Sequence, residues 1–303
     1  MTDPADGNRR EPDIAWILGS PRSGSTWLLR MLAHEQRVVA IDEPLFGIHA
    51  APYIENGLAP IPGFTFPNLT TNAENAGRTD YCLCTEYEDA WRPPLRALIV
   101  SRIRAQADRV ARGRGVADPV AVLKEPNSSH AAELLLGLVP ESRLIFLLRD
   151  GRDVIDSLLD AFTGDTWWTS TYASFIDRDE RWRLGMIRHQ ARFWLHRTQA
   201  VERAFASHAV DRRLLVRYEE LLASPVETFA KLARWIGLPT LEARAREVVA
   251  HQAFSRTPSE ERGSGKALRA AEPGLWRDNM SSAEQGLMND LLGEKLEQLG
   301  YQL

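Results

Sequence analysis

The chain has 303 residues, of which 44% are hydrophobic and 26% charged, and its formal net charge is −4. These values are typical of a soluble globular protein with one large α/β domain or two small ones. The acidic balance argues against a protein that coats nucleic acid, and no apolar stretch has the length of a membrane span or the features of a signal peptide. We therefore expect neither nucleic-acid nor membrane partners.

The two cysteines, Cys82 and Cys84, are one residue apart. A disulfide between them would be strained, and a metal site needs more ligands than two thiols. Reduced thiols are typical of the cytoplasm, so we expect a cytoplasmic protein. Arginine is far more frequent than lysine, which fits a bacterial source with a GC-rich genome.

The first regular elements surround a glycine-containing loop. Residues 1–13 are polar and are expected to form a disordered leader before a domain at 14–303. The apolar run 14–18 predicts a buried strand, 19–25 has the composition of a tight loop, and helical spacing of apolar residues begins at Thr26. A strand, a glycine loop and a helix in this order direct backbone N–H groups at an anion.

The loop has the spacing of a phosphate-binding loop with one departure. Gly19 and Gly24 are separated by four residues and are followed by Ser25 and Thr26, but Ser25 occupies the place of the usual lysine. The nearest cation is Arg22. Kinases use that lysine to bind the terminal phosphates of ATP, so its absence disfavours a kinase. The loop can still bind a phosphate. An ordinary glycine turn is the remaining interpretation.

The next part of the chain alternates strands with irregular sequence. A short apolar strand ends at the acidic pair Asp42 and Glu43, just before a proline. Residues 45–85 are rich in proline, glycine and asparagine, which predicts a long irregular insertion. A helix is expected over 91–114, and a strand that ends at Lys124 follows.

A second transition from strand to helix follows the strand with the clearest buried pattern, at 143–149. Arg149 stands at the end of this strand, and Ser157 lies about two helical turns further along. The other predicted elements are a helix at 129–138, a strand at 214–218, helices at 225–237 and 241–251, a glycine- and charge-rich loop at 259–274, and a final helix with a capping box of Ser282 and Gln285. This alternation predicts an α/β fold with a central parallel sheet and helices on both faces.

These motifs resemble those of sulfotransferases that use 3′-phosphoadenosine 5′-phosphosulfate (PAPS). Residues 19–27 resemble the loop that holds the 5′-phosphosulfate, and 148–157 resemble the motif in which an arginine and a serine hold the 3′-phosphate. The Lys124-Glu125-Pro126 triplet, Tyr218, a loop with Arg262 and Lys266, and the Trp276-Arg277 pair follow in the family's order, so the resemblance covers roughly 14–300. It implies a single P-loop-like domain.

The sequence is closer to one branch of that family. Cytosolic sulfotransferases have a lysine in the loop and a Lys-x-His triplet whose histidine is the base, whereas this chain has Arg22 and no histidine after Lys124. Tyrosylprotein and carbohydrate sulfotransferases have an Arg-Ser-Gly loop and a glutamate after the following strand, and Glu43 matches that glutamate. Glu125, His49 and His130 remain alternative bases.

The resemblance implies a role for each matching residue. Glu43 accepts the proton of the acceptor hydroxyl, while Arg22 and Lys124 stabilise the sulfuryl oxygens and the bridging oxygen. The implied donor-binding residues fall into three sets. The loop supplies Arg22, Ser23, Gly24, Ser25 and Thr26, and Trp27 and Tyr218 lie near adenine. Near the 3′-phosphate are Arg149, Ser157 and the loop residues Arg262, Gly263 and Lys266, with Arg269 as an alternative ligand from that same loop.

The expected reaction moves a sulfuryl group from PAPS to a hydroxyl and releases 3′-phosphoadenosine 5′-phosphate (PAP), without a metal. The expected acceptor is a small molecule such as a phenol, natural product, glycolipid or sugar, although a peptide tyrosine remains open. Insertions at about 44–90 and 160–195, with Trp167 and Trp168 in the second, are expected to form the acceptor pocket. A P-loop kinase and a nucleotide-binding module without turnover are the alternatives, and the sequence does not indicate an oligomeric state.

Overall fold

The computed structural model describes residues 13–47, 54–55, 67–68, 77–162, 179–256, 258–259, 263 and 270–303. Within them, five parallel strands form one sheet in the spatial order β2-β5-β1-β6-β7. These strands are β1 (Asp13–Gly19), β2 (Val38–Asp42), β5 (Val120–Lys124), β6 (Arg143–Leu148) and β7 (Arg213–Arg217). Two short segments, β3 (Ile54–Glu55) and β4 (Pro67–Asn68), pair antiparallel within the predicted insertion.

The helices lie on both faces of this sheet, which confirms the predicted fold class. They are α1 (Ser25–Ala33), α2 (Glu88–Arg114), α3 (Ala132–Leu138), α4 (Gly151–Phe162), α5 (Glu180–Ser207), α6 (Tyr218–Ala223), α7 (Pro225–Trp235), α8 (Glu242–His251), α9 (Trp276–Asn279) and α10 (Ser282–Gln298). No helix among the described residues is both long enough and apolar enough to cross a membrane.

Two apolar cores lie against the sheet, one on each face. Alternate residues of β1 enter different cores, with Trp16 and Leu18 on one face and Ala15 and Ile17 on the other. The first core contains residues of α2, α3, α4, α5 and α10, and the second contains residues of α1, α7 and α8. A sheet that is buried on both faces explains the nearly continuous apolar runs of its strands.

Two local predictions differ from the structure. The helix predicted at 129–138 is instead a 3-10 turn over Pro126–Ala131 followed by α3. The turn begins at a proline, which suits a first position because it has no backbone N–H to donate. The capping box of α10 uses Ser281 and Glu284 rather than Ser282 and Gln285. Because both pairs have the same spacing, the sequence pattern could not separate two registers one residue apart.

Helices of the described chain overlap the far ends of both predicted insertions. Helix α2 already begins at Glu88, and residues 180–195 belong to α5, where Trp182 and Trp194 are buried in the first core. Trp167 and Trp168 lie outside the described residues, as does the expected leader except for Asp13, which begins β1. Cys82 and Cys84 are free thiols.

The parallel sheet brings the candidate residues to one edge. Asp42 at the end of β2 is in register with Lys124 at the end of β5, and Gly19 at the end of β1 is in register with Leu147 of β6. The carboxyl ends of parallel strands are where α/β folds place their ligands. The segments that follow these ends carry the site.

Candidate functional site

The loop between β1 and α1 depends on two glycines. Gly19 has φ +153°, and a Cβ atom there would lie 2.1 Å from the carbonyl oxygen of Leu147. Gly24 has φ +85°, and its Cβ atom would lie 2.5 Å from the ring of Tyr218. Side chains at either position would therefore collide with β6 or with Tyr218, and the chain can follow this path only with glycine.

The N-terminus of α1 is open to an anion. No side chain caps it, its N-cap is Gly24, and its first turn contains no acidic residue. The hydroxyl of Ser23 is buried and has no hydrogen-bond partner within the described part of the chain. Ser25 is also buried. A buried hydroxyl without a partner beside the positive end of a helix suits a phosphate group.

Arg22 and Arg149 bring positive charge to this loop. Arg22 has φ +67°, and its Nε donates to the hydroxyl of Ser157 at 2.9 Å. Arg149 donates through Nη1 to the carbonyl oxygen of Arg22 at 2.8 Å, and its guanidinium carbon lies 4.4 Å from the ring centroid of Tyr218. The Nε of Arg149 is buried without a hydrogen-bond partner in the described residues. The two motifs predicted to bind phosphate are therefore in direct contact.

Lys124 is the centre of a second cluster. Its side chain is only 6% exposed, and its Nζ lies 2.6 Å from Asp42 Oδ1, 2.8 Å from Glu43 Oε1 and 3.1 Å from Thr26 Oγ1. The carboxylate of Asp42 is 60% exposed and that of Glu43 is 34% exposed. A buried cation thus joins the phosphate loop to two carboxylates that solvent can reach.

Glu43 lies in a strained turn. Five non-glycine residues of the described chain have a left-handed φ, and Arg22, Glu43 (φ +46°) and Leu45 (φ +62°) are three of them. The second carboxylate oxygen of Glu43 accepts from the side-chain amide of Asn127 at 2.9 Å. Strain of this kind concentrates at functional sites. Asn127 had no signal in the sequence, because only the turn after β5 brings it to Glu43.

Glu125 points into the protein. It is fully buried, and its carboxylate accepts from the backbone N–H of Phe46 at 3.0 Å and from the hydroxyl of Ser128 at 2.7 Å. Burial raises the pKa of Glu125. The alternative base of the sequence analysis therefore supports the turn that carries Glu43.

The candidate histidines have different placements. His49 lies outside the described residues. His130 is 8% exposed, and burial, together with the nearby Arg197, lowers its pKa to about 3. This histidine is consequently neutral at physiological pH, with an imidazole far less basic than the pKa near 7 that suits a general base.

The two aromatic candidates pack against each other. The indole N–H of Trp27 donates to the carbonyl oxygen of Gln252 at 2.9 Å, and its ring meets that of Tyr218 edge to face at 6.5 Å between centroids. Tyr218 is buried between Gly24 and Arg149. Trp27 keeps partial exposure.

Of the expected ligands in the loop at 259–274, only Gly263 is described, with φ +111°; Arg262, Lys266 and Arg269 lie outside the described residues. The loop's last residue, Gly274, donates its backbone N–H to both carboxylate oxygens of Asp153 at 2.8 and 3.0 Å. Burial raises the pKa of Asp153, while the charge of Arg149 opposes this. Asp153 thereby ties the end of the loop to helix α4.

The structure thus brings together the phosphate loop, Arg149 and Ser157 on one side, and Lys124 and Glu43 on the other. Thr26 links the two groups through Lys124. In the described part of the chain, no group of three or more His, Cys, Asp or Glu side chains has the arrangement of a metal site. The arrangement can bind a phosphorylated ligand beside a carboxylate that is paired with a lysine.

Comparison with known families gives one match over most of the chain. The profile of the sulfotransferase family matches residues 15–242. Protein-tyrosine sulfotransferase from Drosophila melanogaster is 23% identical over 136 residues, which is 45% of this chain and 24% of that protein. The match therefore spans about a quarter of the length of that curated relative.

Comparison with solved structures gives the same fold at low identity. A sulfotransferase domain from the olefin synthase of Synechococcus PCC 7002 has a TM-score of 0.53 at 17% identity and covers 98% of both chains. A sulfotransferase from Mycobacterium avium has a TM-score of 0.53 at 16% identity, covering 98% of this chain and 79% of that one. A mouse sulfotransferase complexed with PAP has a TM-score of 0.52 at 12% identity, covering 96% and 86%.

Proposed function

The chain belongs to the sulfotransferase family, and we propose that it transfers the sulfuryl group of PAPS to the hydroxyl of a small-molecule acceptor, with Glu43 as the general base. The observation that carries this proposal is the contact of 2.8 Å between Lys124 and Glu43, next to a phosphate loop whose Ser23 has a buried, unpartnered hydroxyl. A base, a cation and an anion site are thus adjacent.

The donor end of the proposal depends on groups that lack a partner in the described structure. The hydroxyl of Ser23 and the N-terminus of α1 would bind the 5′-phosphate. Arg149, whose Nε is buried without a partner in the described residues, would bind the 3′-phosphate together with Ser157, and Arg22, which contacts both residues, would remain at the sulfuryl oxygens. Trp27 would lie near adenine. The mouse family member that is complexed with PAP supports this choice of nucleotide.

The proposed reaction is an in-line displacement at sulfur. The acceptor oxygen forms a bond to sulfur while the bond between sulfur and the 5′-phosphate oxygen breaks, and PAP leaves with that electron pair. The acceptor proton passes to the carboxylate of Glu43. Because the donor is already activated, the protein contributes mainly position and electrostatic stabilisation.

Lys124 suits the role of electrostatic partner for the leaving group. Its ammonium donates to the hydroxyl of Thr26, beside the phosphate loop, at 3.1 Å, so its positive charge lies next to the proposed site of the 5′-phosphosulfate. The same ammonium is paired with Asp42 and Glu43.

A transfer assay tests this proposal. The chain is incubated with radiolabelled PAPS and a panel of acceptors that contains phenols, aliphatic alcohols, sugars and a tyrosine peptide. We expect labelled product with at least one small hydroxylated acceptor, and a loss of rate of about 10²–10⁴-fold in Glu43→Gln without loss of PAP binding. Labelling of the tyrosine peptide alone would indicate that the acceptor is a protein tyrosine and not a small molecule.

Two outcomes contradict the proposal. If Glu43→Gln transfers label as fast as the unchanged chain, Glu43 is not the base. If no acceptor is labelled although PAP binds with micromolar affinity, the chain is a nucleotide-binding module without turnover. Binding of ATP with Mg²⁺ but not of PAP would indicate a kinase.

A further inference from the structure

The 3-10 turn after β5 contacts both halves of the site. This turn spans Pro126–Ala131, and its consecutive serines, Ser128 and Ser129, are both fully buried. Ser129 contacts the phosphate loop, and Ser128 contacts the turn that carries Glu43. Two adjacent hydroxyls therefore reach two segments that are distant in sequence.

Ser129 holds Gly19, the first residue of the phosphate loop, by both of its backbone groups. Its hydroxyl accepts from the N–H of Gly19 at 2.8 Å and donates to the C=O of Gly19 at 2.7 Å. On its other side, Gly19 lies against the carbonyl of Leu147 so closely that no Cβ atom would fit. Gly19 is thus fixed between Ser129 and β6, and the loop starts from a defined position.

Ser128 holds the other segment. Its hydroxyl donates to the carboxylate of Glu125 at 2.7 Å and accepts from the N–H of Gly47 at 3.2 Å. The other oxygen of Glu125 accepts from the N–H of Phe46. A Cβ atom on Gly47 would lie 2.4 Å from that of Ser128, so the two segments are in close contact. The turn after Glu43 is therefore attached to a buried carboxylate and a buried hydroxyl.

We infer that Ser128 and Ser129 are positioning residues with separate tasks: Ser129 sets the phosphate loop for the donor, and Ser128 sets the turn that presents Glu43. In-line transfer requires the donor sulfur and the base at a fixed separation, and small misplacements are costly. Consecutive residues of one short turn keep the two segments at such a separation. This inference rests on the proposed function.

The test compares Ser128→Ala, Ser129→Ala and Ser142→Ala. Ser142 is a matched control, because its buried hydroxyl also makes two hydrogen bonds: it accepts from the indole N–H of Trp16 and donates to the carbonyl of Val139. It lies just before β6, at the end of that strand that is far from the site. The measurements are PAP affinity by calorimetry and amide hydrogen exchange at Gly19 and Gly47 in the chain without nucleotide.

Loss of the hydroxyl in Ser129→Ala leaves the buried N–H and C=O of Gly19 unpaired, so we expect PAP to bind about tenfold more weakly and the Gly19 amide to exchange faster. Ser128→Ala should speed exchange at Gly47 and leave PAP affinity within about twofold. Ser142→Ala should change neither readout. If Ser129→Ala is too unstable to purify, Ser129→Cys, which keeps a side chain of the same connectivity with a larger sulfur atom and weaker hydrogen bonds, carries the same expectation.

The inference is overturned if Ser129→Ala binds PAP as tightly as the unchanged chain, if Ser142→Ala weakens PAP as much as Ser129→Ala does, or if Ser128→Ala and Ser129→Ala speed the same amides. Failure of the unchanged chain to bind PAP would instead contradict the proposed function. The exchange measurements, which need no nucleotide, would still decide the roles of the two serines.

Discussion

The Nε of Arg22 donates to the hydroxyl of Ser157 at 2.9 Å. Arg22 belongs to the loop after β1 and Ser157 to helix α4, so this hydrogen bond joins the two phosphate motifs directly. Arg149 strengthens the connection by donating to the carbonyl oxygen of Arg22. The groups proposed for the 5′-phosphate and the 3′-phosphate are therefore linked by direct hydrogen bonds.

Ser157→Ala should weaken PAP binding about tenfold, because the variant loses a hydroxyl that bonds a charged group and that would contact the 3′-phosphate. AMP, which lacks the 3′-phosphate, should lose less affinity. Calorimetry with both nucleotides measures the difference. Equal losses for PAP and AMP would show that Ser157 acts only through Arg22.

Gly24→Ala should abolish measurable donor binding. Gly24 has φ +85°, and an added Cβ atom would lie 2.5 Å from the ring of Tyr218, so the loop must shift, at a cost of about 1–3 kcal/mol. Gly286→Ala is the matched control, because Gly286 lies inside α10 and, apart from its own helix backbone, no atom of the described residues is within 4 Å of the added Cβ. That control should stabilise the chain by about 0.5–1 kcal/mol and keep donor binding. Wild-type PAP affinity in Gly24→Ala would contradict the loop geometry.

Glu125→Gln should keep transfer within about tenfold of the unchanged chain, whereas Glu43→Gln should lose about 10²–10⁴-fold. The reason is that the carboxylate of Glu125 supports Phe46 and Ser128 and faces away from the solvent. A larger loss of kcat in Glu125→Gln than in Glu43→Gln would indicate that Glu125 is the base and that Glu43 is not.

The difference in stability between Glu125→Gln and the unchanged chain should depend on pH. Burial raises the pKa of Glu125 in the folded chain above its unfolded value. The folded state therefore binds this proton more tightly, and the stabilisation is complete below the unfolded pKa and is lost as pH rises through the folded pKa. Urea unfolding from about pH 4 to pH 7 should show Glu125→Gln gaining stability relative to the unchanged chain as pH rises. A constant difference would contradict the raised pKa.

The sequence was sufficient for the parts of the site that depend on local pattern. The glycine spacing predicts the loop, and the strand ends at Lys124 and Arg149 predict the edge of the sheet where they meet, because parallel strands place their carboxyl ends together. Family resemblance supplied the pairing of Arg149 with Ser157. The fold class followed from alternating strands and helices.

Contacts between side chains that are far apart in the sequence could not be predicted from local patterns. The local pattern does not show that Glu125 is buried while solvent reaches Glu43, since both residues follow a strand and precede a proline. Asn127, Ser129 and Asp153 gain their partners only from the path of the chain after β5 and β6. The register of the capping box at Ser281 was ambiguous because two acceptable pairs overlap.

The central claim is that the loop, Arg149 and Ser157 bind a nucleotide with a 3′-phosphate. Thermal unfolding with PAP, compared with ATP plus Mg²⁺, tests it most directly. At about a hundred times its dissociation constant, PAP should add about 2.7 kcal/mol to the free energy of unfolding, a rise of a few degrees for a chain of this size. We expect this rise with PAP, its loss in Arg149→Ala, and no comparable rise with ATP and Mg²⁺. A rise with ATP and Mg²⁺ alone would contradict it.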